Sequence, residues 1–194
     1  DSVYSNGNGS LMRILPIALY LSYAGIEVID DEYFEVMKKS SSLTHAHNYS
    51  VLCCYLYSAI VEKLLLTDSK DFIPALRGSI KEDNDVYKRF MQGAIHLKNV
   101  DEVKSTGYVI DSLEASIWCV LNTCSFEEAV LAAVNLGDDT DTIGALTGAL
   151  AGLVYGFDAI PKTWINSLQR KDYLENMVSS FKKYLRKLER TKKG

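Results

Sequence analysis

The chain has 194 residues, 47% hydrophobic and 24% charged, with a net charge of −4, which is enough material for one domain with a sizeable core. The acidic balance argues against a nucleic-acid partner, because the only basic concentration is the tail from Lys182 to Lys193, interleaved with Tyr184, Leu185 and Leu188 like a solvated helix face. Cys53, Cys54, Cys119 and Cys124 lack CxxC or zinc spacing and read as reduced cytoplasmic thiols, and the longest uncharged apolar run, Ile143 to Phe157, is too short to span a bilayer.

In chain order the pattern is helical. Leu11 to Ala24 is apolar, with Gly25 as its stop. Asp30 and Asp31 then cap a short helix through Lys39. His47 to Leu66 is strongly apolar on one face. Asp71 to Ser79 follows, and then Asp83 to Leu97, with Tyr87, Phe90, Met91, Ala94 and Ile95 at helical spacing. Asp111 to Leu121 carries Leu113, Ile117, Val120 and Leu121. Ser125 precedes Glu128 in a capping-box pattern ahead of Ala129 to Val134. From Leu174 onward, Met177, Val178, Phe181, Leu185 and Leu188 mark a last amphipathic helix. No convincing alternating strand is visible, so the expected fold is all-α, a single domain over residues 1–194.

Chemistry concentrates in three places. The strongest is Gly137-Asp138-Asp139-Thr140-Asp141-Thr142, where three carboxylates and two hydroxyls stand immediately before an apolar helix. Hard oxygen donors of this kind suit Mg²⁺, Mn²⁺ or Ca²⁺ rather than zinc. The first turn of a helix also tolerates acids without any cation, and Asp138 or Asp139 could equally serve as an N-cap. Three crowded acids repel one another unless a cation or solvent relieves them, which favours the metal reading. An EF-hand is excluded, because Asp139, Asp141 and Gly144 occupy its first, third and sixth positions but Leu150 stands where a bidentate Glu is required. Downstream, Gly144, Gly148, Gly152 and Gly156 draw a smooth stripe every fourth residue, a mark of tight packing against a neighbour.

The second place is Ser5-Asn6-Gly7-Asn8-Gly9-Ser10-Leu11-Met12-Arg13. It is either a plain Asn-Gly turn or a flexible loop whose N–H groups hold phosphate at a helix entry. The third is Ser42-Leu43-Thr44-His45-Ala46-His47. Two histidines two residues apart do not share a helix face, and no third nitrogen or sulfur ligand is near, so a zinc pair is disfavoured and one His lining a polar pocket is expected.

Taken together, Gly-Asn-Gly-Ser-Leu-Met-Arg at 7–13, Ser-Leu-Thr-His at 42–45, Gly-Tyr-Val-Ile-Asp-Ser-Leu-Glu-Ala-Ser at 107–116 and Gly-Asp-Asp-Thr-Asp-Thr-Ile-Gly-Ala at 137–145 resemble the ordered motifs of the ADP-ribosylglycohydrolases. The resemblance implies a compact multi-helix fold with a dinuclear Mg²⁺ or Mn²⁺ centre. Its implied activity is removal of ADP-ribose from a modified protein side chain or a small ADP-ribosyl compound. It makes Asp139, Asp141 and Thr142 metal ligands, with Asp139 and Asp141 central to catalysis, and puts Asp138 behind them at a position where relatives carry glycine. It assigns Ser5, Asn6, Gly7, Asn8 and Gly9 to the diphosphate and ribose, with Met12 and Arg13 shaping that loop. His45 would line the same cleft, and Tyr108 and Val109 would flank the adenine or ribose.

The resemblance also implies a gap. The family's upstream Gly-Asp-Asp-Thr motif, which supplies the other metal ligands, and an upstream catalytic acid have no counterpart here. The expectation is an N-terminally truncated domain, lacking roughly the first third, that starts inside a polar loop with no initiator Met. An uncovered apolar face would then favour a homo-oligomer or association with a separate N-terminal piece. The competing expectation is a non-catalytic member that binds ADP-ribose or only keeps the fold, as crystallin relatives do.

Overall fold

The computed structural model describes residues 6–67, 72, 85–92 and 95–192. Among these residues there are nine α-helices and no strand. They are α1 (Leu15–Ala24), α2 (Asp31–Ser42), α3 (Asn48–Leu66), α4 (Asp85–Gln92), α5 (Val109–Leu121), α6 (Phe126–Asn135), α7 (Thr140–Tyr155), α8 (Lys162–Ser167) and α9 (Lys171–Lys192).

The helix limits follow local chemistry. The apolar run from Leu11 is not one helix: Leu11–Arg13 forms a 3₁₀ turn, and α1 begins at Leu15 with Pro16 in its first turn, where a missing N–H costs nothing. It ends on Gly25 in the left-handed region at φ 66°. Ser125 caps α6 as expected, accepting from Glu128 N at 3.1 Å. Glu128 does not close a reciprocal box, however; its carboxylate accepts from Cys124 N at 2.8 Å. Helix α8 carries no amphipathic signature and was not anticipated. The stretch expected to be helical from Asp71 to Ser79 lies outside the described residues apart from Phe72, which is helical and buried.

Helix α3 is the post around which the rest is built. It packs against α1, α2, α5 and α7. The expectation of one apolar face understates it, since Ser50 through Glu62 are buried around the whole circumference. With 19 residues at a mean hydropathy of 1.4 it is long and apolar enough to cross a membrane, yet 78% of that window is buried inside the fold, as befits a core helix. Tyr57 ties it to α7, donating from its hydroxyl to Leu146 O at 3.0 Å.

Helix α7 lies against α5 and α6, burying Ile143, Leu146, Leu150 and Ala151 on one side. Its glycine stripe faces α6, but the approach is looser than the sequence suggests. A Cβ added at Gly148 would sit 3.6 Å from Val130 Cγ2 and 4.0 Å from Phe126 Cζ, which is ordinary contact, while one at Gly144 would meet Val134 Cγ1 at 3.3 Å. Gly156 is not part of the stripe at all; it ends the helix at φ 81°. The C-terminal helix α9 rests on α1, with Leu185 buried and Tyr184 stacked on Tyr20 at 6.3 Å. Tyr173, Leu174, Met177 and Val178 of the same helix are exposed, and Phe181 and Leu188 are half-buried.

Candidate active site

Three segments far apart in sequence meet at one end of the bundle. Residues 6–9 run beside residues 107–109 as an isolated antiparallel bridge centred on Gly7 and Tyr108, with Val109 N donating to Asn6 O at 2.9 Å and Asn8 N to Gly107 O at 3.1 Å. The turn before α7 docks on the same segment, because Asp139 N donates to Ser105 O at 3.0 Å. Segment 105–109, which also leads into α5, is therefore the seam between the glycine-rich loop and the acidic turn.

The side chain of Asn8 completes that junction. A carboxylate can only accept, so the Asn8 amide nitrogen faces Asp139 Oδ2, at 2.6 Å. Its second hydrogen reaches Ser112 Oγ at 2.8 Å, and the Ser112 hydroxyl in turn donates to Thr106 O at 2.9 Å. Asn8 is buried, and both of its donor hydrogens are spent on protein. Asn8, expected among the ligand-binding residues, joins loop to acid through its amide nitrogen.

The acidic turn owes its shape to backbone. Gly137 sits at φ 88° and Asp138 at φ 51°, both in the left-handed region, which Asp tolerates better than most non-glycine residues. Asp139 occupies the N-cap position of α7, and Thr142 N, three residues on, donates to Asp141 Oδ1 at 3.0 Å. Gly107 leaves it room: a Cβ there would lie 3.3 Å from Asp139 Oδ2. Partial burial pushes the Asp139 carboxyl up, but hydrogen bonding with Asn8, Asp141 and Thr142, in which the carboxylate accepts, outweighs it and holds the group below the usual carboxylate range. Asp139, Asp141 and Thr142 are thus within reach of one another, with Asp141 exposed and Thr142 buried. Two carboxylates and a hydroxyl are hard donors that fit Mg²⁺ or Mn²⁺, although among the described residues no group of three or more His, Cys, Asp or Glu is placed to hold an ion.

His45 covers the glycine loop. A Cβ on Gly9 would fall 2.7 Å from His45 Cε1, and one on Gly7 would fall 3.5 Å from Nε2. His47 has a separate task, accepting from Tyr49 N at 3.2 Å as the N-cap of α3, so the two histidines do not form a pair. Met12 is exposed on the 3₁₀ turn. Tyr108 packs its ring partly against the core, and burial pushes its hydroxyl up. Asn6 is buried, and Ser5 lies outside the described residues.

Sequence reasoning missed what braces the seam from behind. Asp111 accepts from Thr106 Oγ1 and from Arg89 of α4, each at 2.9 Å. Arg89 also pairs with the buried Glu114, as does Lys98. Polar residues at 111, 112 and 114 inside an otherwise apolar helix were the available signal.

The glycine-rich loop and the Asp-Asp-Thr-Asp-Thr helix start are thus joined in one all-helical bundle, as the resemblance to the ADP-ribosylglycohydrolases implies. The family model for ADP-ribosylglycohydrolase matches residues 1–192, and the chain belongs to that family. It is 32% identical over 174 residues to ADP-ribosylarginine hydrolase Tri1 of Pseudomonas putida, covering 89% of this chain and 44% of that protein. It is 29% identical to ADP-ribosyl-[dinitrogen reductase] glycohydrolase of Rhodospirillum rubrum, covering 85% of this chain and 51% of that protein. A solved structure described as an ADP-ribosylglycohydrolase-related protein complex superimposes with a TM-score of 0.75 at 26% identity, over 94% of this chain and 60% of that one. The chain thus spans about half the length of the curated relatives it matches.

Proposed function

We propose that this chain supplies the ADP-ribose loop and one set of metal ligands to a hydrolase that removes ADP-ribose from a modified side chain. The observation that carries the reading is the Asn8 bridge, which makes the glycine-rich loop and Asp139 parts of one cleft. Similarity to an ADP-ribosylarginine hydrolase supports an arginine-linked substrate as the first to try.

Asp139, Asp141 and Thr142 would hold Mg²⁺ or Mn²⁺, whose contribution when bound is to polarise oxygen ligands and lower the pKa of water. The chain's own residues do the rest. The loop around Gly7 and Gly9 offers backbone to anionic oxygens, Asn8 fixes the orientation of Asp139, and His45 closes the loop from above. Departure of the acceptor leaves oxocarbenium-like charge on the ribose, and carboxylate oxygens beside it are suited to stabilising that charge. The exposed apolar residues of α9 support further polypeptide packed on this chain, either a second copy or a separate piece.

The competing reading, ADP-ribose binding without turnover, is favoured by the small size of the carboxylate group. The test is release of ADP-ribose from ADP-ribosylarginine with added Mg²⁺ or Mn²⁺, alongside calorimetry with ADP-ribose. Turnover is expected to need the ion and to be lost in Asp141→Ala. Equal turnover in chelator overturns the metal assignment, and binding without turnover under every ion supports the binding module.

A further inference from the structure

Arg13, Thr44 and His45 form a line of donors and acceptors. A guanidinium only donates. Arg13 Nη2 lies 2.8 Å from Thr44 Oγ1 and 3.1 Å from Ser40 O, which uses both of its hydrogens. The Thr44 hydroxyl, having accepted from Arg13, keeps one hydrogen of its own. His45 Nδ1 is 2.8 Å from that oxygen. Donation from the guanidinium polarises the Thr44 hydroxyl towards donating, so it is placed to give that hydrogen to Nδ1, which leaves a neutral His45 ring with its proton on Nε2.

The ring that receives this instruction is also held in place. His45 N donates to Ser41 O, and His45 O accepts from Ser41 Oγ, each at 2.8 Å. The Ser41 hydroxyl thereby spends its hydrogen, so its 3.0 Å contact with Ser10 Oγ is donated by Ser10, which starts the 3₁₀ turn after the glycine loop. The edge of the ring then faces the two glycines, with Nε2 at 3.3 Å and 3.5 Å from where their Cβ atoms would be. No described residue accepts from Nε2.

We infer that Thr44, backed by Arg13, is a positioning residue that fixes the His45 tautomer and so delivers an Nε2–H donor to the mouth of the glycine loop. The ligand oxygen that takes this hydrogen bond belongs to the ADP-ribosyl group only if the reading under Proposed function holds; the tautomer does not depend on it. The same logic assigns Thr44 a role that its exposed position would not suggest.

Three histidines make the test tractable. Long-range ¹H–¹⁵N correlation on the histidine-labelled chain at pH 8, where ordinary imidazoles near a pKa of about 6.5 are neutral, should show His45 with a bare Nδ1 and a protonated Nε2. His47, whose Nδ1 accepts from Tyr49 N, serves as an internal reference, and His45→Gln assigns the signal. Thr44→Val should move the His45 proton towards Nδ1 or into a mixture, and Thr44→Ser should restore the original pattern; a merely structural Thr44 would leave the tautomer alone. Affinity for ADP-ribose should fall about tenfold in Thr44→Val, the size of one hydrogen bond, and recover in Thr44→Ser. A proton on Nδ1 in the unaltered chain, or a tautomer indifferent to Thr44→Val, overturns the inference, and the first of these needs no variant to fold. Normal tautomers with no ADP-ribose binding by the unaltered chain would instead overturn the functional reading while the positioning role stands.

Discussion

Replacing Asn8 tests the junction on which the site depends. Asn8→Ala removes a hydrogen bond to a buried hydroxyl at 2.8 Å and a charge-assisted one to Asp139 at 2.6 Å. A neutral bond contributes about 1 kcal/mol and one to a charged group about 1.5–3 kcal/mol, so the expected loss is about 2–4 kcal/mol. For a chain of this size about 1 kcal/mol moves Tm by about 2–4 °C, which predicts a drop of roughly 4–16 °C by scanning calorimetry or circular dichroism. Asn8→Asp sharpens the argument because it keeps the shape and inverts the electrostatics. A second carboxylate against Asp139 can bond only by sharing a proton, so the pair titrates above the ordinary carboxylate range in the folded state. A folded pKa above its unfolded value means stability that is present at acid pH and lost as pH rises through the folded value. The Asn8→Asp deficit relative to the unaltered chain should therefore widen from about pH 4 to pH 7. An unchanged Tm in Asn8→Ala, or a deficit in Asn8→Asp that does not vary with pH, would refute the claim that this amide holds loop and acid together.

Two further outcomes follow from packing. Gly148→Ala should raise stability by up to about 1 kcal/mol in urea unfolding, since its Cβ meets Val130 at 3.6 Å and the helix gains alanine's propensity, whereas Gly148→Leu should cost about 1–3 kcal/mol by overpacking against Phe126; a destabilised alanine variant would restore the picture of a tightly sealed stripe. A thiol reagent should label Cys124 alone in the native chain, because burial pushes Cys119 up to about 12 and raises Cys53 and Cys54, and the other three should react only after denaturation.

What the sequence disclosed, it disclosed locally. Ser125 before Phe126 carries its own capping chemistry, and Gly25 its own left-handed stop, so those helix limits are legible within a few residues. The acidic run before α7 is similarly self-announcing, because three carboxylates in four residues need an explanation wherever they lie. Asn8 sends no such signal. An Asn between two glycines looks like a turn residue, and its partner Asp139 is 131 positions away. The Arg89 network is hidden for the same reason, since nothing near Arg89 in sequence announces Asp111 and Glu114 on another helix. The miss on the glycine stripe has a different cause: spacing alone says that a face is smooth, while the distance to Val130 and Phe126 says how close anything comes to it.

The arrangement also bears on how ligand and ion would influence one another. Asn8 has spent both amide hydrogens, one on Ser112 of the seam and one on Asp139. A ligand that pulls the backbone of residues 7–9 must therefore either carry Asp139 with it or break a charge-assisted bond, and an ion that draws Asp139 towards Asp141 and Thr142 acts on the loop through the same amide. Coupling of this kind is reciprocal by thermodynamic necessity. It also runs through one hydrogen bond, so it is bounded by what that bond contributes, about 1.5–3 kcal/mol. The glycines on either side of Asn8 leave room for the His45 ring, and the Asn8 amide ties the loop between them to the acids.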